Sequence, residues 1–176
     1  MKIAHICHLS SSSGVSALPS NLNKKLNQNQ NFLSNYYHND LVQNKENFIF
    51  LKSSKILNQS IFDIYLKYKA DDVANFCFFY EGIKNEQDLE SLEKYDTIHL
   101  HWINYFLNLE NLVRIFKNKP IVITVHDQHL LFGGCHWRNK CENFKNDCKE
   151  CPQLNDKIND IANYNFLKKK KLFDNS

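Results

Sequence analysis

Three groups of residues have types and spacings that chemistry uses. The first is His126-Asp127, which closes the run Pro120-Ile121-Val122-Ile123-Thr124-Val125. A histidine at the end of such a run, with a loop after it, can hydrogen-bond a ligand or move a proton near neutral pH. The competing role is capping or packing. No Ser or Cys is placed by the sequence as its nucleophilic partner, so triad hydrolysis has no support. The second group is His99-x-His101, followed by Trp102. A period of two on a strand puts both imidazoles on one face. Such a pair is half a metal site, or one packed and one rim histidine. Trp102 beside it can stack on a sugar or base, or sit in the core. The third group is Cys135-x5-Cys141-x6-Cys148-x2-Cys151. Tetrahedral zinc takes four such soft ligands, and a closed four-thiolate site is structural rather than catalytic. Free thiols, disulfides and an iron–sulfur cluster are the alternatives, because only one C-x-x-C is present. His136 is a spare ligand candidate, and Cys7 and Cys77 read as isolated, packed thiols.

These groups need elements to hold them. Residues 2–9 read as a buried first strand, followed by the small-residue turn Ser10–Gly14. Leu18, Leu22 and Leu26 then recur at helical spacing, with Pro19 where a first turn tolerates it. Residues 27–46 are polar and Asn-rich, which predicts loop with a short strand near Asn35–His38. Phe48–Leu51 reads as a strand and 56–69 as a helix. Phe76–Tyr80 is a strand or a buried loop, and Gln87–Glu93 a short amphipathic helix. Asp96–Trp102 is a strand. Leu109, Leu112, Val113 and Phe116 form one face of a helix. Pro120–Asp127 reads as a central parallel strand covered on both faces, because its β-branched run is continuous. Strand, helix and strand within about 30 residues imply a right-handed crossover. The expectation is an open, parallel, Rossmann-like α/β sheet with helices on both faces, plus a Cys-rich loop. Ligands of such sheets bind at the carboxyl ends of the strands. That rim would carry Ser13 and Gly14, His101 and Trp102, and His126 and Asp127.

Composition narrows the function. The chain has 176 residues, 43% apolar and 13% aromatic, which is globular and of one-domain size. The mean hydropathy of -0.52 reflects its many Asn and Lys. With only 4 Gly there is no G-x-G-x-x-G and no Walker A motif. A net charge of +3 does not describe a dedicated nucleic-acid binder. The one dense basic run, Lys168–Lys171, reads as a solvated helix face, with weak contact to an anionic membrane as its functional alternative. No run is long and apolar enough to span a membrane. Two histidines interrupt the only N-terminal apolar run, so no signal peptide is expected. A cytoplasmic setting is expected, and it argues against a disulfide scaffold.

His99-Leu100-His101-Trp102, Thr124-Val125-His126-Asp127, Gly133-Gly134-Cys135-His136 and Cys148-x-x-Cys151-Pro152-Gln153-Leu154 occur in that order. In order and spacing they resemble the N-terminal, acceptor-side domain of bacterial family-four glycosyltransferases of the GT-B fold, from polysaccharide biosynthesis. The resemblance covers essentially the whole chain and is firmest from Tyr95 to Leu154. It implies one domain over 1–176 with a Cys-rich insertion at 133–154, and a donor domain that this sequence lacks. In the family that second domain binds the nucleotide-sugar and carries E-x7-E. The spacing Glu142 to Glu150 falls instead inside the Cys-rich segment. By resemblance, His126 contacts the transferred sugar and stabilises the transition state, while Asp127 orients the loop or the acceptor. Ser13 and Gly14 match the family's small-residue loop, with fewer glycines than usual. The implied function is hexosyl transfer to a glycan or lipid-linked acceptor, in a truncated or split form that is inactive alone. A separately encoded donor domain would be its partner, and peripheral contact with the inner membrane face is expected. The alternative is a non-catalytic α/β module, stabilised by zinc, that binds a glycan or a partner.

Overall fold

A computed structural model describes residues 1–8, 14–38, 48–50, 76–77, 89–104, 106–155, 158 and 160–174. Ser13, the rest of the Ser10–Ser13 run, the expected helix at 56–69 and Phe78–Tyr80 lie outside them. The chain divides into two compact units. One comprises Met1–Ser53 with Glu81–His126, the other Ser54–Tyr80 with Asp127–Ser176.

The first unit is an α/β sheet. Its strands are β1 (Lys2–Ile6), β2 (Leu33–His38), β3 (Phe48–Phe50), β4 (Thr97–Leu100) and β5 (Ile121–Ile123), ordered β3-β2-β1-β4-β5. Every pairing is parallel, as expected. The order reverses between β1 and β4, which makes that gap the topological switch point. β1 is central, and Ala4 and Ile6 are fully buried.

One strand departs from expectation. Among the described residues β5 pairs only with β4, and Val122 is 45% exposed. Its β-branched run was read as a strand covered on both faces. β-branching suits extended backbone at an edge as well as at a centre, so such a run does not report burial.

Helix α1 (Ala17–Asn27) forms as expected, with Pro19 in the first turn, where a backbone N–H has no intrahelical partner. Its inner face is not the leucine stripe. Leu18 is 47% exposed, whereas Pro19, Ser20 and Asn23 are buried. Hydrogen bonding explains the rotation. Ser34 Oγ donates to Asn23 Oδ1 at 2.7 Å. Asn27 receives the Ser34 N–H at 2.8 Å and donates to the Ser34 carbonyl at 2.7 Å. Helix α2 (Leu109–Ile115) has Asn108 as N-cap, whose Oδ1 accepts from the Asn111 N–H at 3.1 Å. Leu109, Leu112 and Phe116 are buried, the face expected from their spacing.

The second unit has a small core of its own. Phe76, Cys135, Cys148, Cys151, Leu154 and Ala162 are buried together, and Phe132, Phe144 and Phe166 pack on them. Phe76 forms an antiparallel bridge with Cys135. The loop that reads as polar therefore folds around its own thiols, which behave as small hydrophobes. Helix α3 (Asp160–Asp174) closes the unit. Ala162 lies so close to Gly133 that a Cβ there would come within 2.6 Å of the Ala162 carbonyl oxygen. Lys168–Lys171 is not a uniformly solvated face. Lys169 is 4% exposed and donates to the His129 carbonyl at 2.5 Å, while Lys170 and Lys171 stay exposed. One lysine turns inward because the α3 face that carries Ala162 and Asn165 also carries position 169, three to four residues per turn later.

Candidate functional site

The carboxyl half of the sheet carries a row of imidazoles. His5 lies on β1 and His99 on β4, directly opposite one another in register. His101 follows two residues after His99, on the same face, and their ring centroids are 4.1 Å apart. His126 lies just beyond β5. The row is joined by hydrogen bonds. His5 Nδ1 is 3.4 Å from His101 Nε2, and His101 Nδ1 is 3.1 Å from His126 Nε2. His99 Nε2 meets the Thr124 hydroxyl at 2.8 Å.

Burial decides the charge of this row. His5 and His101 are each 1% exposed. Desolvation, helped by the neighbouring His99, brings His5 down to about 4. Desolvation, with His99, His5 and His126 adding to it, brings His101 down to about 2. His99 is lowered as well, by burial first and His126 second. These three rings are neutral at pH 7, because the low-dielectric interior penalises each charge and each neighbour would repel it. A neutral imidazole is one donor and one acceptor, so the row is a directional chain that ends at half-buried His126. The nitrogens of His5, His99 and His101 also form a group in which all ligand atoms lie within 4.8 Å, and that group could hold a metal ion.

The structure therefore brings His101 and His126 together, as expected, and adds His5. The pair His99 and His101 shares a face, as period two requires. His5 was missed because nothing local connects it to His99, 94 residues away. A histidine inside an otherwise apolar strand was the available signal. Trp102 is half-buried and, like Val15, packs on the cluster of Cys7 and Tyr36. Gly14 begins a short 3-10 turn at φ 60, exposed, with open space around it.

Asp127 opens the second unit. Its Oδ1 accepts from the His129 N–H at 2.9 Å, which caps the turn Gln128–Leu130. It also pairs with the His129 ring and, at 3.3 Å, with His136 Nδ1. Burial pushes the carboxyl up, but the His129 hydrogen bonds and charge, with His136 beyond, outweigh it and hold Asp127 below its ordinary range. Cys77 is buried, as expected, yet it is not isolated, because its Sγ lies 2.7 Å from His136 Nε2. That contact escaped the sequence because the two residues are 59 positions apart.

Cys135, Cys141, Cys148 and Cys151 line one cavity with Phe132 and Phe144. All four are free thiols. Burial pushes Cys135 up to about 12, with Cys151 and Cys148 adding to it, and burial raises Cys148 to about 11. Cys151 is raised by burial too. Glu142 and Glu150 are both exposed, and Glu142 pairs with Lys145 at 2.9 Å.

Comparison with known proteins adds one relationship. No family model matches the chain. No solved structure matches it either. Over 67 residues the chain is 36% identical to "Putative colanic acid biosynthesis glycosyl transferase WcaC" of Escherichia coli (strain K12). This supports a relationship to glycosyltransferases. The match takes in 34% of this chain and 16% of that relative, so the chain spans only a small part of its length. Among the described residues, no helix is long and apolar enough to cross a membrane.

Proposed function

We propose that this chain is the acceptor-side part of a GT-B glycosyltransferase of family four. In this reading it works in surface polysaccharide biosynthesis at the cytoplasmic face of a membrane. The reaction is transfer of a hexosyl group from a nucleotide-sugar to a glycan or lipid-linked acceptor. The observation that carries the reading is the 36% identity over 67 residues to a glycosyl transferase. The parallel sheet supports it, because its reversal point and the His101–His126 pair lie at the carboxyl edge where such folds bind ligands. His126 takes the role of the group that touches the transferred sugar. His101 positions it: the 3.1 Å bond fixes the ring through Nε2. Because His101 stays neutral, it orients His126 without competing for its proton. Asp127 shapes the loop that follows. A donor domain, on the same polypeptide or a separate one, supplies the nucleotide-sugar site, and the isolated chain is inactive.

Acceptor binding tests this without the donor domain. The purified chain is screened against glycans and against liposomes bearing polyprenyl-linked sugars. The expected result is saturable binding to one glycan class, weakened at least about tenfold, or 1.4 kcal/mol, by His126→Ala. Absence of binding to every glycan and lipid-linked sugar would sink the reading.

A second reading is favoured by the shared thiol cavity: a zinc-stabilised, non-catalytic binding module. In both readings zinc joins Cys135, Cys141, Cys148 and Cys151, and its binding releases thiol protons that burial otherwise retains. Metal analysis of the reduced protein should find thiolate-bound zinc. Less than about half an equivalent would remove zinc from both readings.

A further inference from the structure

The sheet brings metal-ligating side chains together as well. We propose that His5, His99 and His101 form a site for a divalent transition metal at the switch point of the sheet, separate from the cysteines. The geometry carries it. β1 delivers His5, and β4 with the residue after it delivers His99 and His101; the three ligand atoms all lie within 4.8 Å. Zinc–imidazole bonds of about 2.0–2.1 Å at tetrahedral angles separate two ligand nitrogens by about 3.3–3.4 Å. His5 Nδ1 and His101 Nε2 are 3.4 Å apart. The two rings thus already stand at a tetrahedral edge.

The surroundings are those a histidine ligand uses. A metal-bound imidazole normally engages its other nitrogen with a fixed partner, which sets the tautomer and the ring plane. His101 has one: its Nδ1 meets His126 Nε2 at 3.1 Å. The His99 ring is held at Nε2 by the Thr124 hydroxyl at 2.8 Å. His5 is the ring without such a second partner. It is 1% exposed, and its Nε2 has no hydrogen-bond partner among the described residues. A buried polar atom left unmet is costly. The hydrogen bonds of the row leave that cost in place, so they do not by themselves favour a histidine at position 5.

The ligand set selects the metal. Three nitrogens and no carboxylate suit zinc, copper or nickel rather than magnesium or calcium. Three protein ligands also leave a fourth position, the arrangement of sites that accept water or a substrate oxygen. His126 becomes a positioning residue for the metal through His101. The inference is independent of the glycosyltransferase reading, since it concerns metal affinity alone.

Cobalt separates this site from the thiols. Thiolate ligands give Co2+ an intense sulfur-to-metal charge-transfer band in the near ultraviolet, and nitrogen ligands give visible ligand-field bands without it. The tag-free, reduced, full-length chain is titrated with Co2+. The expected result is about one equivalent with nitrogen-only bands, beyond any cobalt that carries the sulfur band. His99→Gln should abolish that component with the far-ultraviolet circular dichroism unchanged. His126→Gln should weaken it about 10–100-fold, and it serves alone if His99→Gln fails to fold. Cobalt bound only with the sulfur band, or no cobalt at all, would overturn the proposal. So would a nitrogen-only component that a folded His99→Gln or His126→Gln chain retains at full affinity.

Discussion

Replacing Gly134 by alanine puts a methyl group where the second unit has no room. Gly134 adopts φ 135, a region that L side chains rarely enter. Its Cβ would overlap the Cys77 carbonyl oxygen and come within 2.7 Å of the Phe76 ring. Neither neighbour can easily give way. The Cys77 N–H donates to the Gly134 carbonyl at 2.6 Å, and Phe76 is bridged to Cys135. Backbone strain at such a position costs about 1–3 kcal/mol. Overpacking a filled core adds about 1–3 kcal/mol more. The sum, about 2–6 kcal/mol, is a large share of the ~5–15 kcal/mol that holds a typical domain. Gly14 is the internal control. Its φ is also positive, at 60, but no atom of the described residues lies within 4 Å of a Cβ built there. Gly14→Ala should then cost only the strain, roughly 1–2 kcal/mol. Hydrogen exchange read by mass spectrometry resolves the two units. Gly134→Ala should accelerate exchange across Phe132–Leu154 and α3 while sparing α2. Gly14→Ala should act weakly, and on the sheet unit. Equal, small effects of both substitutions would refute the packing argument.

Two further outcomes follow from the same geometry. Asp127 is held below its ordinary value of 3.8, so the unfolded chain binds this proton first as pH falls. Its contribution is complete above about pH 4–5 and is lost as pH drops through the folded value. Urea midpoints measured against pH should therefore decline less steeply on the acid side in Asp127→Asn, and an unchanged slope would contradict the His129–Asp127–His136 arrangement. Asn108→Ala removes the N-cap of α2 and should cost about 1 kcal/mol, whereas Asn108→Gly should cost only a few tenths. Equal denaturation midpoints for the alanine variant and the wild type would show that the Asn111 N–H finds another partner.

Much of the architecture was readable from local pattern. Apolar runs marked β1, β4 and β5, and the 3.6-residue spacing marked the face of α2. These features depend on geometry within one element, which the sequence encodes directly. The shared face of His99 and His101 belongs to the same class. Features that depend on neighbours were not readable. α1 turns Asn23 and Ser20 inward because Ser34 of β2 offers hydrogen bonds there. The β-branched run of β5 reads as central, yet it pairs on one side only. Lys169 and Cys77 acquire buried polar partners 40 and 59 residues away.

The candidate site divides along the same line. The sequence by itself determined which chemistry was present: imidazoles at strand ends, a carboxylate after one of them, and four thiols in one loop. Only the tertiary structure decided that β1 lies against β4, so that His5 stands opposite His99. That pairing adds a third histidine to His99 and His101 and sets the 3.4 Å between His5 and His101. Strand order is settled by burial and crossover geometry summed over the whole sheet, and no local spacing carries that information.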